Sequence, residues 1–447
     1  MQKRWSRIFA LAMAIPLLLA LLAACGAGTG GNTGGGNTSG PIVIKIGSDF
    51  PTTGGDASAG KPAENGAHLA VDEANANHVI PNVTFVFDPK DDVGPAGTHD
   101  GATGQKNVTD LIGDAQVAGI VGPLNSSVAV SELPVTNQAP IALISPANTN
   151  DCLTQTNPQS ECGGANNKIP TYRPTGKVTY FRIATRDFYQ GGALADFGFK
   201  TKGYKKVYII DDTETYGVGI AAAFENEWKN LGGTVIDHKS VPPTTTSFVN
   251  LLTAAAAANP DVIFFGGNDS TGGTLIREQM MQVPALKNTP FIAGDGTQTS
   301  AFAKAIKPLG GGDVFTSVAA VDITKLGGVA QTFISTYSAK YGANNISSYS
   351  GGAYDCAKII IQAVKTAMAK GATPPKDSSD AATAKTFRQA VIDAIQGIDY
   401  TGVTGHHTFD QNGDTTNRAI TIKTIGDINV GDGWTTVTQI TIPSSGS

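Results

Sequence analysis

Little of this 447-residue chain is charged: Asp, Glu, Lys and Arg make up 15% of it, with no run of one sign. That absence excludes the basic stripe through which a protein tracks nucleic acid. Cysteine is scarce, at four residues, with no CxxC pair and no Cys/His cluster, so neither a metal centre nor a cofactor is expected. No GxxxxGKS or GxxxxGKT occurs, and nothing in the chain suggests ATP hydrolysis. What the chain does have is a run of apolar residues at its start and a repeated alternation of β-branched and amphipathic segments after it.

Lys3, Arg4 and Arg7 form a basic region, and Ile8 to Leu22 is an apolar run broken only by Pro16. This reads as a secretory signal peptide over 1–24, too short and wrongly flanked for an ordinary membrane span. Its Leu22-Ala23-Ala24-Cys25 ending resembles a bacterial lipobox, which makes Cys25 the lipidated residue; an ordinary signal with a chance cysteine is the alternative. Residues 25–41, rich in Gly, Asn, Thr and Ser, read as a flexible tether. A lipid-anchored domain on the outer side of a bacterial membrane, facing the periplasm or the exterior, is expected. Without residues 1–24 the balance is 29 basic against 37 acidic residues. Cys152 and Cys162 enclose a polar loop, and an exported location permits a disulfide there. Cys356 lies among apolar helical residues and reads as a buried thiol.

The remaining length of about 400 residues suggests two domains. Strands are expected at Ile42–Gly47, Thr84–Phe87, Val117–Val121 and Ile141–Ser145, with helices at Pro62–Ala76, Thr103–Gly113 and Ser126–Asn137 between them. The rhythm restarts with strands at Val207–Ile210, Thr234–His238, Val262–Phe265 and Phe291–Ala293, again separated by helices. Such βαβα order implies parallel sheets with helices on both faces. The predicted fold is α/β: two doubly wound parallel-sheet lobes joined by a hinge. Lobe 1 is assigned 42–183 plus 318–408, and lobe 2 is assigned 184–317 plus 409–447. In open α/β sheets the ligand site lies beyond the carboxyl ends of the strands, so two facing lobes create a cleft lined by loops and helix starts.

"IVIKIGSDFPTTGGDASAGKPAENGAHLAVDEAN" resembles the opening of the periplasmic amino-acid-binding proteins of the leucine/isoleucine/valine type: a strand, a turn ending in glycine, and a helix carrying Asn-Gly-Ala. "AGIVGPLNSSVAVSELPV" and "IALISPANTND" are similar to that family's strand, serine loop and helix, and to its Ile-Ser-Pro loop. "YFRIATRD", "YIIDDTETYGVG", "DVIFFGG" and "FIAGDGT" follow in the family's order, so the resemblance runs from about Ile42 to Trp434. It implies a type I periplasmic binding protein that delivers an amino acid or related small carboxylate to an ABC permease. The resemblance further implies that Ser126 and Thr149, with backbone near Ala147, bind the ligand α-carboxylate. Asp295 would bind the α-ammonium group, and Tyr216 would close over it from lobe 2. Asn268 stands where the family has a tyrosine, Ala59 where it often has a bulky aromatic, and Asp295 where it usually has glutamate. A wider and more polar cavity than one made for leucine is therefore expected. The disulfide of the family's type member is absent, with Val93 and Asn125 near its positions.

Each of these residues has a plainer reading. Ser126 and Ser127 stand at a helix start, where free N–H groups favour an anion; one of them serving only as an N-cap is the alternative. Asp295 between two glycines reads equally as a turn residue, and Tyr216 as a surface aromatic. A serine nucleophile would require a GxSxG elbow and a base; the run here is Pro-Leu-Asn-Ser-Ser-Val, and no histidine stands in a triad context. The chain is read as a binder and not an enzyme, and as a monomer, with a sensor subunit of a signalling system as the alternative role. "FDQNGDTTN", at 409–417, alternates acids as calcium loops do but lacks the glycine and glutamate of that pattern, so a hairpin turn is expected.

Overall fold

A computed structural model of the protein describes residues 41–156 and 162–442. The signal segment, Cys25 and the tether lie outside the described residues. The first half begins with β1 (Ile42–Phe50), α1 (Ala57–Ala76), β2 (Val83–Asp91), α2 (Gly101–Gly113), β3 (Val117–Val121) and α3 (Ser126–Gln138). It continues with β4 (Ala142–Ser145), the short α4 (Ile169–Tyr172) and β5 (Tyr180–Arg182). The five strands form a parallel sheet in the order β2-β1-β3-β4-β5. Every residue of β3 and β4 is buried, as expected of strands covered on both faces.

The second half repeats the pattern: α5 (Asp187–Asp196), β6 (Lys206–Asp211), α6 (Thr215–Asn230), β7 (Thr234–Ser240), α7 (Val249–Ala257) and β8 (Val262–Gly266). Then come α8 (Thr274–Met280), β9 (Phe291–Ala293), α9 (Ser300–Ile306) and β10 (Val314–Val318). The chain returns to lobe 1 as α10 (Val329–Tyr341), α11 (Ser350–Ala369), α12 (Ala381–Gln396) and the hairpin β11 (Tyr400–Gly402) with β12 (Gly405–His407). It ends in lobe 2 as β13 (Ala419–Ile425) and β14 (Trp434–Thr441). The second sheet has the order β14-β13-β10-β9-β8-β6-β7, with β13 and β14 antiparallel at one edge.

Helix α11 starts at Ser350, ahead of the apolar residues around Cys356. A Cβ on Gly66 of α1 would sit 2.0 Å from the Ser350 carbonyl, so glycine there lets the two helices touch backbone to backbone. Cys356 is buried in this packing as a free thiol, and Cys152 is joined to Cys162.

Three crossings connect the lobes, and they are hydrogen-bonded to one another. The Thr185 amide donates to the Ala319 carbonyl at 2.8 Å, and its hydroxyl donates to the Ala419 carbonyl at 2.7 Å. Thr421 Oγ1 donates to the Ala320 carbonyl at 2.8 Å. The third crossing comes later than the 408/409 boundary expected from the sequence. Phe409 packs on Phe181 in the lobe 1 core with ring centroids 5.0 Å apart, and Asp414 pairs with Arg182 beside β5. Residues 409–417 form a tight turn, with the Asp410 amide donating to the Asp414 carbonyl at 2.9 Å. No group of three metal-ligating side chains stands together among the described residues.

Candidate functional site

Both sheets reverse their winding between two strands: β1 and β3 in lobe 1, β6 and β8 in lobe 2. The loops leaving those strands have no neighbouring crossover to cover them, so a crevice opens at each reversal. One cavity, about 560 Å³ including its solvent-open part, is lined from these loops. Lobe 1 supplies Asp56 and Ala59 after β1, Asn125 and Ser126 after β3, and Ala147 and Thr149 after β4. Lobe 2 supplies Tyr216 after β6, Asn268 after β8, and Asp295 after β9.

The lobe 1 loops are held by their own polar groups. Ser145 Oγ donates to the Pro123 carbonyl at 2.7 Å and accepts the amides of Ala147 and Asn148 at 3.1 and 2.8 Å. Asn148 Nδ2 donates to the Leu124 carbonyl at 2.8 Å. Gly122 has φ +130° and passes so close to the Asp49 carbonyl that a Cβ would lie 2.3 Å from it. These constraints deliver Ser126 as the first residue of α3; the N-cap is Asn125, which makes no side-chain cap bond. Plain N-capping therefore does not account for Ser126. Its Oγ and the Thr149 Oγ1 are buried without hydrogen-bond partners. Two such hydroxyls cost stability unless a ligand satisfies them. Ser127 is not in the cavity wall; its hydroxyl faces Glu214 of lobe 2.

Across the cleft Asp295 is buried. Tyr216 Oη and Gln190 Nε2 donate to its Oδ1 at 2.8 Å each, and Tyr349 Oη donates to its Oδ2 at 2.5 Å. Burial raises the Asp295 carboxyl above its ordinary value, and the three donors offset part of that rise. Tyr349 belongs to the lobe 1 core, so its bond to Asp295 spans the cleft. Neither the turn nor the surface reading fits these contacts: Asp295 starts a short turn but points its carboxylate inward, and Tyr216 is 5% exposed. Asp187 is buried next to Thr149, and burial pushes it well above the ordinary carboxylate range, with the Thr149 side chain opposing part of that rise.

Asn268 lines the cavity while its side chain caps the turn Asp269–Gly273. The lining the sequence reading missed includes Asp56, Gln298, Thr299, Ser347, Ser348 and Tyr349. Tyr349 precedes α11 in Ser-Ser-Tyr-Ser, a stretch whose composition signals only a helix start. Ser126 Oγ touches no base, and both ring nitrogens of His99 are engaged elsewhere.

His99 links the lobes. Its Nδ1 is 2.7 Å from Asp56 Oδ2, and its Nε2 is 3.8 Å from Glu214 Oε2, at the N-cap of α6. Burial opposes charging, but Asp56 and Glu214 outweigh it and push His99 up to about 10. Glu214 is lowered in turn by its bond to His99, and Asp56 is lowered by the same partner in spite of burial. Asp92, also facing the imidazole, is held well above the usual carboxylate range by burial. A histidine raised in the folded state binds its proton where the unfolded chain has lost it. Its contribution is therefore complete below 6.5 and is lost as the pH rises towards about 10. Melting temperature should fall between those limits, and His99→Gln should flatten that slope. An unchanged slope in the variant would show that His99 is not charged in the native protein.

The sequence profile of the family described as "Periplasmic binding protein" matches residues 43–427. A Leu/Ile/Val-binding protein of Rhizobium johnstonii, BraC3, is 27% identical over 63% of this chain and 69% of its own length. Leu/Ile/Val-binding protein homolog 3 of Brucella melitensis is 28% identical over 57% of this chain and 64% of its own length. The aligned stretch thus spans about two thirds of these relatives. Among solved structures, a leucine binding protein from Thermotoga maritima superposes with a TM-score of 0.71 at 21% identity, covering 89% of this chain and 98% of that one. At that identity the likeness shows the two-lobed type I fold.

Proposed function

Because the chain belongs to the periplasmic binding protein family, we propose that it captures an amino acid or a related small carboxylate between its lobes and delivers it to an ABC permease. Lipid on Cys25 would hold it outside the membrane. The observation that carries the amino-acid class is the pairing of chemistries in one cavity. Two unpartnered hydroxyls, Ser126 Oγ and Thr149 Oγ1, stand on one lobe, and the buried carboxylate of Asp295 stands on the other. A carboxylate ligand satisfies the first and an ammonium group neutralises the second, so a zwitterion removes both costs of burial. A ligand touching both lobes binds the closed form more tightly than the open one, and closure follows from that difference. The curated relatives are named for leucine, isoleucine and valine, which agrees with the class.

A melting screen over amino acids, their deaminated analogues, aromatic acids and sugars tests the reading. Ligand at a hundred times its Kd should stabilise the protein by about 2.7 kcal/mol. Ser126→Ala should weaken amino acids and their deaminated analogues alike, by about tenfold, since both keep the carboxylate. A sugar that shifts the melt where no carboxylate does would overturn the assignment. So would ligand turnover that disappears in Ser126→Ala.

A further inference from the structure

Two carboxylates line the cavity, Asp56 and Asp295, and no Lys, Arg or His lines it. They belong to separate hydrogen-bond systems. Asp295 is held by Tyr216, Gln190 and Tyr349, whereas Asp56 is held through Oδ2 by His99, which reaches on to Glu214. One protonated imidazole between two ionised carboxylates leaves this triad one negative charge in excess. The His99 backbone and the Ser270 hydroxyl also face the Asp56 carboxylate, and neither carries a charge that would cancel the excess. Ala59 lies three residues on, on the same face at the start of α1, and lines the cavity with Asp56, its methyl group filling less of it than a larger side chain would. The same cavity wall carries Asn268, Gln298 and Thr299, which are polar and uncharged.

Resting on the amino-acid reading above, we propose that Asp56 determines specificity: it selects amino acids whose side chain ends in N–H donors, an amide or a cationic nitrogen, over aliphatic ones. An aliphatic side chain closed against Asp56 takes water from an ionised carboxylate and returns no hydrogen bond. A donor-ended side chain restores the bond, and a cationic one also cancels the excess charge. Sites that hydrogen-bond their ligand reject analogues lacking the group more strongly than apolar pockets reject a missing methylene.

Calorimetry of the full mature chain with glutamine, lysine, arginine, leucine, isoleucine and glutamate tests this. Donor-ended amino acids should bind at least about a hundredfold more tightly than leucine, and glutamate should bind poorly. Asp56→Asn keeps the shape and removes the charge. It should weaken a cationic ligand by about tenfold or more while changing an amide ligand less, which separates the two sources of the donor. Asp56→Leu should shift preference towards leucine; should that variant fold poorly, the asparagine series carries the test alone. Leucine binding as tightly as glutamine and lysine, or a preference unchanged in Asp56→Asn, overturns the assignment of Asp56 and leaves the amino-acid class standing. Silence of every amino acid removes both.

Discussion

Replacing Arg182 by alanine should destabilise the folded protein by about 3–5 kcal/mol, the usual cost of leaving a buried charge without its partner. Arg182 is fully buried at the end of β5, where the chain first leaves lobe 1. Its Nε donates to Asp414 Oδ1 at 2.7 Å, and its Nη1 donates to the carbonyls of Asn150 and Asn148 at 2.7 and 3.3 Å. Burial alone would raise the Asp414 carboxyl, yet Arg182 and the nearby Arg186 hold it below its ordinary value. Alanine leaves that carboxylate with Arg186 at 3.4 Å, Thr154 and Gln155, takes the donor from the Asn148 carbonyl, and leaves the Asn150 carbonyl with only the Leu153 amide at 3.4 Å. The loss falls beside the three hydrogen-bonded crossings, so it reaches the element about which the lobes turn. Equilibrium unfolding in urea reads the effect. The double replacement of Arg182 by Met and Asp414 by Leu should recover part of it, because an apolar pair needs no desolvated charge. A single variant within about 1 kcal/mol of the parent would show that solvent reaches the pair.

Asp295→Asn should weaken an α-amino acid by about tenfold to a hundredfold, the range for losing one charged hydrogen bond in a dry site. The deaminated analogue of the same ligand should be nearly unaffected. The empty protein should not lose stability, because burial disfavours the carboxylate that asparagine replaces, and asparagine keeps the shape that Tyr216, Gln190 and Tyr349 surround. Titration calorimetry with both ligands on both proteins gives the four values required. If the amino acid and its deaminated analogue lose equally, Asp295 shapes the cavity but does not receive an ammonium group.

The alternation of short β-branched runs with amphipathic segments was enough to predict the parallel strands β1 to β4 and β6 to β9, because parallel strands buried on two faces have a composition of their own. Val117–Val121 and Phe291–Ala293 form strands over the ranges expected. Helix starts were harder to read. Helix α1 begins at Ala57, not Pro62: Gly60 and Pro62 look like breakers in the sequence, yet Pro62 stands inside the helix as its sixth residue. That difference matters for the site, since Asp56 and Ala59 stand at the true start. Phe409 was hidden in a polar turn, and only its contact with Phe181 moves the lobe boundary beyond it.

Ser126, Ala147, Thr149, Tyr216, Asn268 and Asp295, taken from ordered motifs, meet in one cavity. Motif order could bring them this far because each stands at the carboxyl end of a strand, and the strand order alone puts those ends together. Ser127 differs from Ser126 by one helical position, which turns it by about 100° and sends it to Glu214 instead. Asp56 and His99 are 43 residues apart, and Glu214 reaches them from the other lobe. Local composition therefore determined the strands, the helices and the two-lobed class, since those follow from propensity and periodicity. Which acid is paired with a histidine, which lines the cavity and which serine is left unpartnered depend on charges and hydrogen bonds between distant segments. Those are set by packing, and the tertiary structure alone decided them.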